Sequence, residues 1–205
     1  VAVNIGDLMM NQMDEEEQPN PAEYIINRNG VDFILSSKVL SAVDAKLRLE
    51  MGAEKILACI LEPFREEYDY ILIDTCPSLN TLTINALSAA DEVIIAANPQ
   101  FWALVGLEDF LLTVKKIKNR VNSKLDVSGI LLTMCEERTN LCKVITEEVA
   151  GTFNGKLRIV DSKIPSTVKV GESVYYGEPL LEYAPRTKAC RMYQNLAKEL
   201  IADED

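Results

Sequence analysis

Asp74 is the residue around which any chemistry in this chain has to be arranged. It ends the run Tyr68-Asp69-Tyr70-Ile71-Leu72-Ile73-Asp74 and is followed by Thr75-Cys76-Pro77-Ser78. The apolar, β-rich residues from Tyr70 to Ile73 predict a buried parallel strand that closes on a single carboxylate. Nothing nearby in sequence pairs with that carboxylate, and a dry, unpartnered charge is costly. The strand end is therefore expected to open into a crevice that holds a hard cation. A strand followed by an aspartate that caps the next helix fits the same pattern. The chain has no histidine, which removes Ser-His-Asp and Cys-His catalysis and leaves carboxylates, Lys/Arg, backbone amides or a metal. Cys59, Cys76, Cys135, Cys142 and Cys190 show no CxxC spacing, which argues against a zinc site and a disulfide framework.

The elements that must position Asp74 follow from periodicity. Short helices are expected at Asp7 to Gln12 and Pro21 to Asn27, the second ended by Asn29-Gly30, with a strand at Val31 to Leu35. Apolar positions from Val39 to Pro63 keep helical spacing. After Asp74 the pattern gives a helix over Leu79 to Ala90, a strand over Glu92 to Asn98 and a helix over Gly106 to Arg120. A strand over Val127 to Met134, a helix from Asn140 to Phe153 and a last strand over Lys156 to Ile164 come next. A helical turn over Ser166 to Tyr175 and a terminal helix over Pro185 to Ala202 complete the chain. Buried strands alternating with helices of ten or more residues imply an α/β fold, a mostly parallel sheet with helices on both faces. Right-handed crossovers put the strand ends Asp74, Asn98 and Thr133-Met134 along one edge.

With 205 residues, 48% hydrophobic and 26% charged, the sequence predicts one ordered domain covering 1–205. A net charge of -11 opposes a broad electrostatic grip on nucleic acid, so any DNA contact needs a local basic patch. No apolar run reaches the roughly 18 residues of a membrane span, and the start does not read as a signal peptide. The expected location is cytoplasmic.

The order of several short blocks resembles one family. Tyr68 to Asp74, Pro77-Ser78-Leu79 and Thr83-Ile84-Asn85-Ala86-Leu87 are similar to the Walker B and switch II region of ParA/Soj-type partition ATPases, relatives of MinD. The likeness continues through Ala89-Ala90-Asp91, Gly106-Leu107, Gly129 to Met134, Arg138 to Leu141, Ile164-Pro165, Gly177 to Leu180, and Pro185 with Lys188. It implies a P-loop NTPase-like fold. The family's Lys-Gly-Gly-x-Gly-Lys-Thr loop and its Asp-Pro-Gln segment do not occur in these residues. Measured against the family, a strand-loop-helix unit of roughly 40 residues is expected upstream of Val1. That loop supplies most of the phosphate binding, so the chain as given is expected to bind ATP weakly or not at all, and catalysis is assigned to the parent.

The resemblance implies that Asp74 orients Mg²⁺ through water and serves the catalytic step of ATP hydrolysis. It places Thr133, Met134, Pro165, Ser166 and Thr167 on the base-binding rim, and Arg138, Lys169, Arg186 and Lys188 in the patch that meets DNA. It further implies a homodimer, a ParB-like centromere-binding partner, and plasmid or chromosome segregation in the cytoplasm on the nucleoid. Cys76 stands where the family usually has proline, and Ser166 where it often has arginine. A MinD-like membrane cycler is disfavoured because the chain ends Ile201-Ala202-Asp203-Glu204-Asp205. A nitrogenase-iron-protein-like carrier needs a second converging cysteine beside Cys76, and the other four have no glycine-rich setting. A non-catalytic binding or dimerisation module that keeps the ParA fold stands as the alternative.

Overall fold

The structure, a computed structural model, describes residues 3–76, 78–136, 144, 147–148, 151 and 157–202. The chain divides into two compact units, residues 1–91 with 113–125, and residues 92–112 with 126–205.

The first unit is built from short helices on a hairpin. Helix α1, Ile5–Met13, starts where the Asn4 side chain accepts from Gly6 N–H and the Asp7 carboxylate accepts from Asn4 N–H, a reciprocal cap. Strands β1, Ile25–Arg28, and β2, Val31–Ile34, pair antiparallel. Their turn, Asn29-Gly30, has φ of 53° and 81°. Two positive φ values in a row define the tight turn that Asn-Gly favours, so the helix expected over Pro21 to Asn27 is a single 3-10 turn, Pro21–Glu23, and gives way to a hairpin from Ile25 on. Helices α2, Leu40–Leu47, α3, Ile56–Leu61, and α4, Thr81–Ala89, complete the unit. The helical spacing of Val39 to Pro63 is interrupted between α2 and α3, where Gly52 adopts a left-handed conformation. Leu8, Met9, Val43, Leu47, Leu57, Ile60, Phe64 and Ala86 form the core.

The second unit holds the parallel sheet. Strands β3, Glu92–Ala97, and β4, Asp126–Leu132, pair in parallel, joined by α5, Phe101–Arg120, whose last turns belong to the first unit. A third line of chain continues the sheet. Ile130 N–H donates to Arg158 O at 2.9 Å, Val160 N–H to Ile130 O at 3.0 Å and Ile164 N–H to Leu132 O at 2.9 Å. Alternation along β4 sends Ile130 and Leu132 to one face, against Leu107 and Leu111 of α5. Leu131 goes to the other face with Val160 and Ile164, under Met192 and Leu196 of the terminal helix. Each such buried aliphatic contributes about 1.5–3 kcal/mol, which is why a parallel strand covered on both faces reads as an unbroken apolar run. The remaining helices are α6, Val168–Tyr176, α7, Leu180–Tyr183, and α8, Lys188–Ala202. The expected α/β architecture with a parallel sheet and helices is therefore observed. The helix expected from Asn140 to Phe153 lies outside the described residues, apart from isolated positions.

One strand does not form. Tyr70 to Ile73 has no regular secondary structure and no strand partner among the described residues. Tyr70 is 50% exposed and Leu72 91%. An apolar run becomes a strand only when a neighbouring edge takes its backbone hydrogen bonds, and this run belongs to neither of the two described sheets.

Candidate functional site

The Asp74 loop is held from both ends. On its N-terminal side, Ile73 packs on the core of the first unit. On its C-terminal side, α4 begins with Asn80 accepting from Thr83 N–H at 3.0 Å, and Thr83 Oγ1 donates to Ser78 O at 2.6 Å. Asp44 reaches across from α2 and accepts from Thr81 N–H at 3.1 Å. Its carboxyl lies below the usual range, first because Arg48 donates to it. Cys76 Sγ lies 3.1 Å from Ser78 Oγ, and that contact is the main cause holding its thiol below the ordinary value.

Asp74 itself is exposed, with no hydrogen bond or ion pair among the described residues. No cluster of three metal-ligating side chains occurs among them either. A magnesium ion uses one or two protein carboxylates and takes its other oxygens from phosphate and water. A lone solvent-facing aspartate fits that donor set on the protein side; the phosphate cradle is not among these 205 residues.

The second unit brings the five expected rim residues together. Thr133 N–H donates to Ala97 O at 2.9 Å, which sets it beside the end of β3. Met134 has φ of 53°, uncommon for a residue with a side chain, and is 64% exposed. Cys135 N–H donates to Ile164 O at 2.9 Å and Ser166 N–H to Cys135 O at 3.0 Å. Cys135 thus pairs with Pro165, which sets Thr133-Met134 and Ser166 next to that bridge in sequence, past the carboxyl ends of the strands where open α/β sheets bind ligands. Thr167 caps α6, its side chain accepting from Lys169 N–H. Asp74 belongs to the other unit.

The expected DNA-contacting residues are dispersed around α6 to α8. Lys169 pairs with Glu172 at 2.7 Å and stands 5.6 Å from the Tyr183 ring centroid. The Glu172 contact raises the Lys169 pKa and lowers that of Glu172. Arg186 and Lys188 are exposed, Lys188 at the first turn of α8. Arg138 lies outside the described residues.

Two positioning residues escaped the sequence reading. Asn85 is fully buried in α4. Its Oδ1 accepts from Leu57 N–H at 3.1 Å and its Nδ2 donates to Ala53 O at 2.7 Å, so it caps α3 from another helix. Glu199 of α8 accepts from Asp161 N–H at 2.8 Å, Ser162 N–H at 3.2 Å and Arg158 at 2.7 Å. Burial pushes its carboxyl up, and these donors outweigh it and hold the pKa below the usual glutamate value.

A family model described as an AAA domain matches residues 2–127. The chain is 38% identical over 173 residues to the sporulation initiation inhibitor protein Soj of Bacillus subtilis, covering 84% of this chain and 68% of that protein. It is 33% identical over 197 residues to the chromosome partitioning protein ParA of Myxococcus xanthus, covering 96% of this chain and 68% of that protein. Among solved structures it resembles the cobyrinic acid a,c-diamide synthase of Mycobacterium smegmatis with bound ATP analog and magnesium. The TM-score is 0.72 at 25% identity, over 80% of this chain and 65% of that one.

Proposed function

This chain belongs to the ParA/Soj family of partition ATPases, and from that premise we propose that it forms the body of a Mg-ATP-dependent switch for plasmid or chromosome partitioning. In this reading it dimerises on nucleotide, binds DNA without sequence preference, and answers to a ParB-like centromere-binding partner in the cytoplasm, on the nucleoid. The observation that carries the proposal is the set of hydrogen bonds by which Leu132 and Cys135, flanking Thr133-Met134, join Ile164 and Ser166 past the strand ends. That rim suits a flat base: backbone at fixed height, an exposed Met134 side chain, and the Thr167 turn beside it.

Magnesium, when bound, neutralises charge on the β- and γ-phosphates of the nucleotide. Asp74 would hold it through water, and its exposure leaves it accessible for that task. The chain's own residues thus supply a base rim and a metal-side acid, without a glycine-rich phosphate loop. Nucleotide affinity of these 205 residues alone is accordingly expected to be weak, because loop amides and the loop lysine provide most of the phosphate binding.

Three measurements test the reading. Calorimetric titration with Mg-ATP is expected to show no binding at micromolar concentration; micromolar affinity would refute the account of the phosphate site. At millimolar 8-azido-ATP, photolabelling is expected on the peptides carrying Thr133 to Glu136 and Pro165 to Lys169. Label spread evenly over the chain, or confined elsewhere, would remove the base rim. In a fusion that places the family's phosphate loop upstream of Val1, Asp74→Ala is expected to abolish ATP hydrolysis while leaving the melting temperature unchanged. Retained turnover would take Asp74 out of the mechanism.

A further inference from the structure

Asp74 makes no hydrogen bond or ion pair among the described residues, and with Thr75 and Cys76 it lies outside any helix or strand. Its place is therefore set by the anchors on either side. One is Ile73, packed on the core of the first unit. The other is the start of α4, where the buried Thr83 donates its hydroxyl to Ser78 O at 2.6 Å. An anchor holds a loop only as firmly as it is held itself, and the first turn of a helix carries amides with no partner inside the helix.

Asp44 supplies one of those partners from α2. Its Oδ1 accepts from Thr81 N–H, the first amide of α4, at 3.1 Å across 37 residues of chain, while Asn80 takes the Thr83 N–H at 3.0 Å. Its Oδ2 accepts from Arg48 at 2.7 Å, one turn further along α2. The Asp44 side chain is 16% exposed, and its neighbours Val43 and Leu47 are buried in the core. The carboxylate is thus mounted on a helix that cannot shift without opening that core. A negative group at a helix N-terminus is also favoured by the macrodipole. The far end of α4 is held separately: Arg65 donates to Ala89 O at 3.0 Å and Asn122 to Ala90 O at 2.6 Å. Loss of Asp44 therefore frees one end of the helix, the end that carries the Asp74 loop.

We propose that Asp44 is a positioning residue. By pinning the first amide of α4 to α2, it fixes the turn from which the Asp74 loop hangs and keeps the metal-side carboxylate in one place. The proposal rests on the reading of Asp74 given above and adds to it the residue that holds Asp74 still.

The test is backbone ¹⁵N relaxation on this chain, read as order parameters at Asp74, Thr75, Cys76 and Ser78. Wild type is expected near about 0.85, the value of rigid backbone, and Asp44→Ala below about 0.6, with α1 unchanged in both. Order parameters describe the folded state, so a variant that is merely less stable leaves them where they were. Asp44→Asn, which keeps an oxygen for Thr81 N–H, is expected to restore the rigid values. Arg48→Ala, which leaves that oxygen in place, is expected to match wild type. Thr81→Pro, which removes the donor at a helix position that accepts proline, is expected to loosen the loop as Asp44→Ala does. Wild-type order parameters in both Asp44→Ala and Thr81→Pro overturn the anchor, whatever Asp74 does. A loop as mobile in Asp44→Asn as in Asp44→Ala overturns the Thr81 hydrogen bond as its means. Retained turnover on Asp74→Ala in the test above overturns the task assigned to the anchor, and is told apart because the loosened loop would still be seen.

Discussion

Glu199 shows how a single carboxylate can organise a sheet end. It sits on the last helix, yet its oxygens satisfy backbone donors at Asp161 and Ser162, in the turn that precedes Ile164 and the ladder to Cys135. Because its folded pKa is depressed, the stability it contributes is fully present above the ordinary value of about 4.3 and is lost as pH falls below it. Glu199→Gln, which keeps the shape but not the charge, is expected to cost about 1–2 kcal/mol at pH 7, read by urea unfolding. The gap between variant and wild type should shrink as pH drops from 5 towards 3; a gap constant over that range would show that the charge does not matter. Neither Glu199 nor Asn85 was legible in the sequence, for one reason. Their partners lie 37 and 38 residues away for Glu199 and 28 for Asn85, and no local pattern marks a helix cap supplied from afar. Asp74 was legible as an acid at the end of an apolar run, but its setting was not.

Elements divide by how much of their environment they carry with them. Strand β4 and helices α5 and α8 were readable because both-face burial or a long amphipathic repeat writes itself into composition, and β3 because its apolar run is flanked by polar residues, although it alternates exposed and half-buried positions. Tyr70 to Ile73 is as apolar as the Ile130 to Leu132 end of β4 and forms no strand. Pairing is a property of two segments, and periodicity reports only one. The β1–β2 hairpin was misread for a different reason: Asn29-Gly30 serves equally as a helix stop and as a two-residue turn, and only the alternation on either side separates them. Gly129 in β4 marks a close approach between two lines of the sheet. A Cβ there would lie 3.0 Å from Arg158 O and 3.1 Å from Val160 Cγ2. Gly129→Ala is expected to destabilise by about 1–3 kcal/mol. Gly106→Ala, in α5 with nothing within 4 Å of the new methyl, is expected to stabilise by about 0.5–1 kcal/mol. Equal effects at the two sites, measured by thermal melts, would show that helix propensity rather than strand spacing sets the cost.

At the scale of the whole molecule two tendencies oppose each other. Tyr70, Ile71 and Leu72 present apolar side chains to water, and β3 has a hydrogen-bonded neighbour on one side only among the described residues. Open edges and exposed apolar side chains of this kind recruit other chains. The net charge of -11 works against that by keeping copies apart. Repulsion between copies is screened over about 30 Å at 0.01 M salt and about 3 Å at 1 M, whereas apolar attraction is not weakened by sodium chloride. Raising salt from 0.01 M to 0.5 M is therefore expected to shift the chain from monomer towards larger species in light scattering. Leu72→Lys, which puts a charge on the most exposed of these side chains, is expected to hold the monomer at the higher salt. If scattering does not change with salt, or if Leu72→Lys associates as readily as wild type, the exposed run is not what brings copies together.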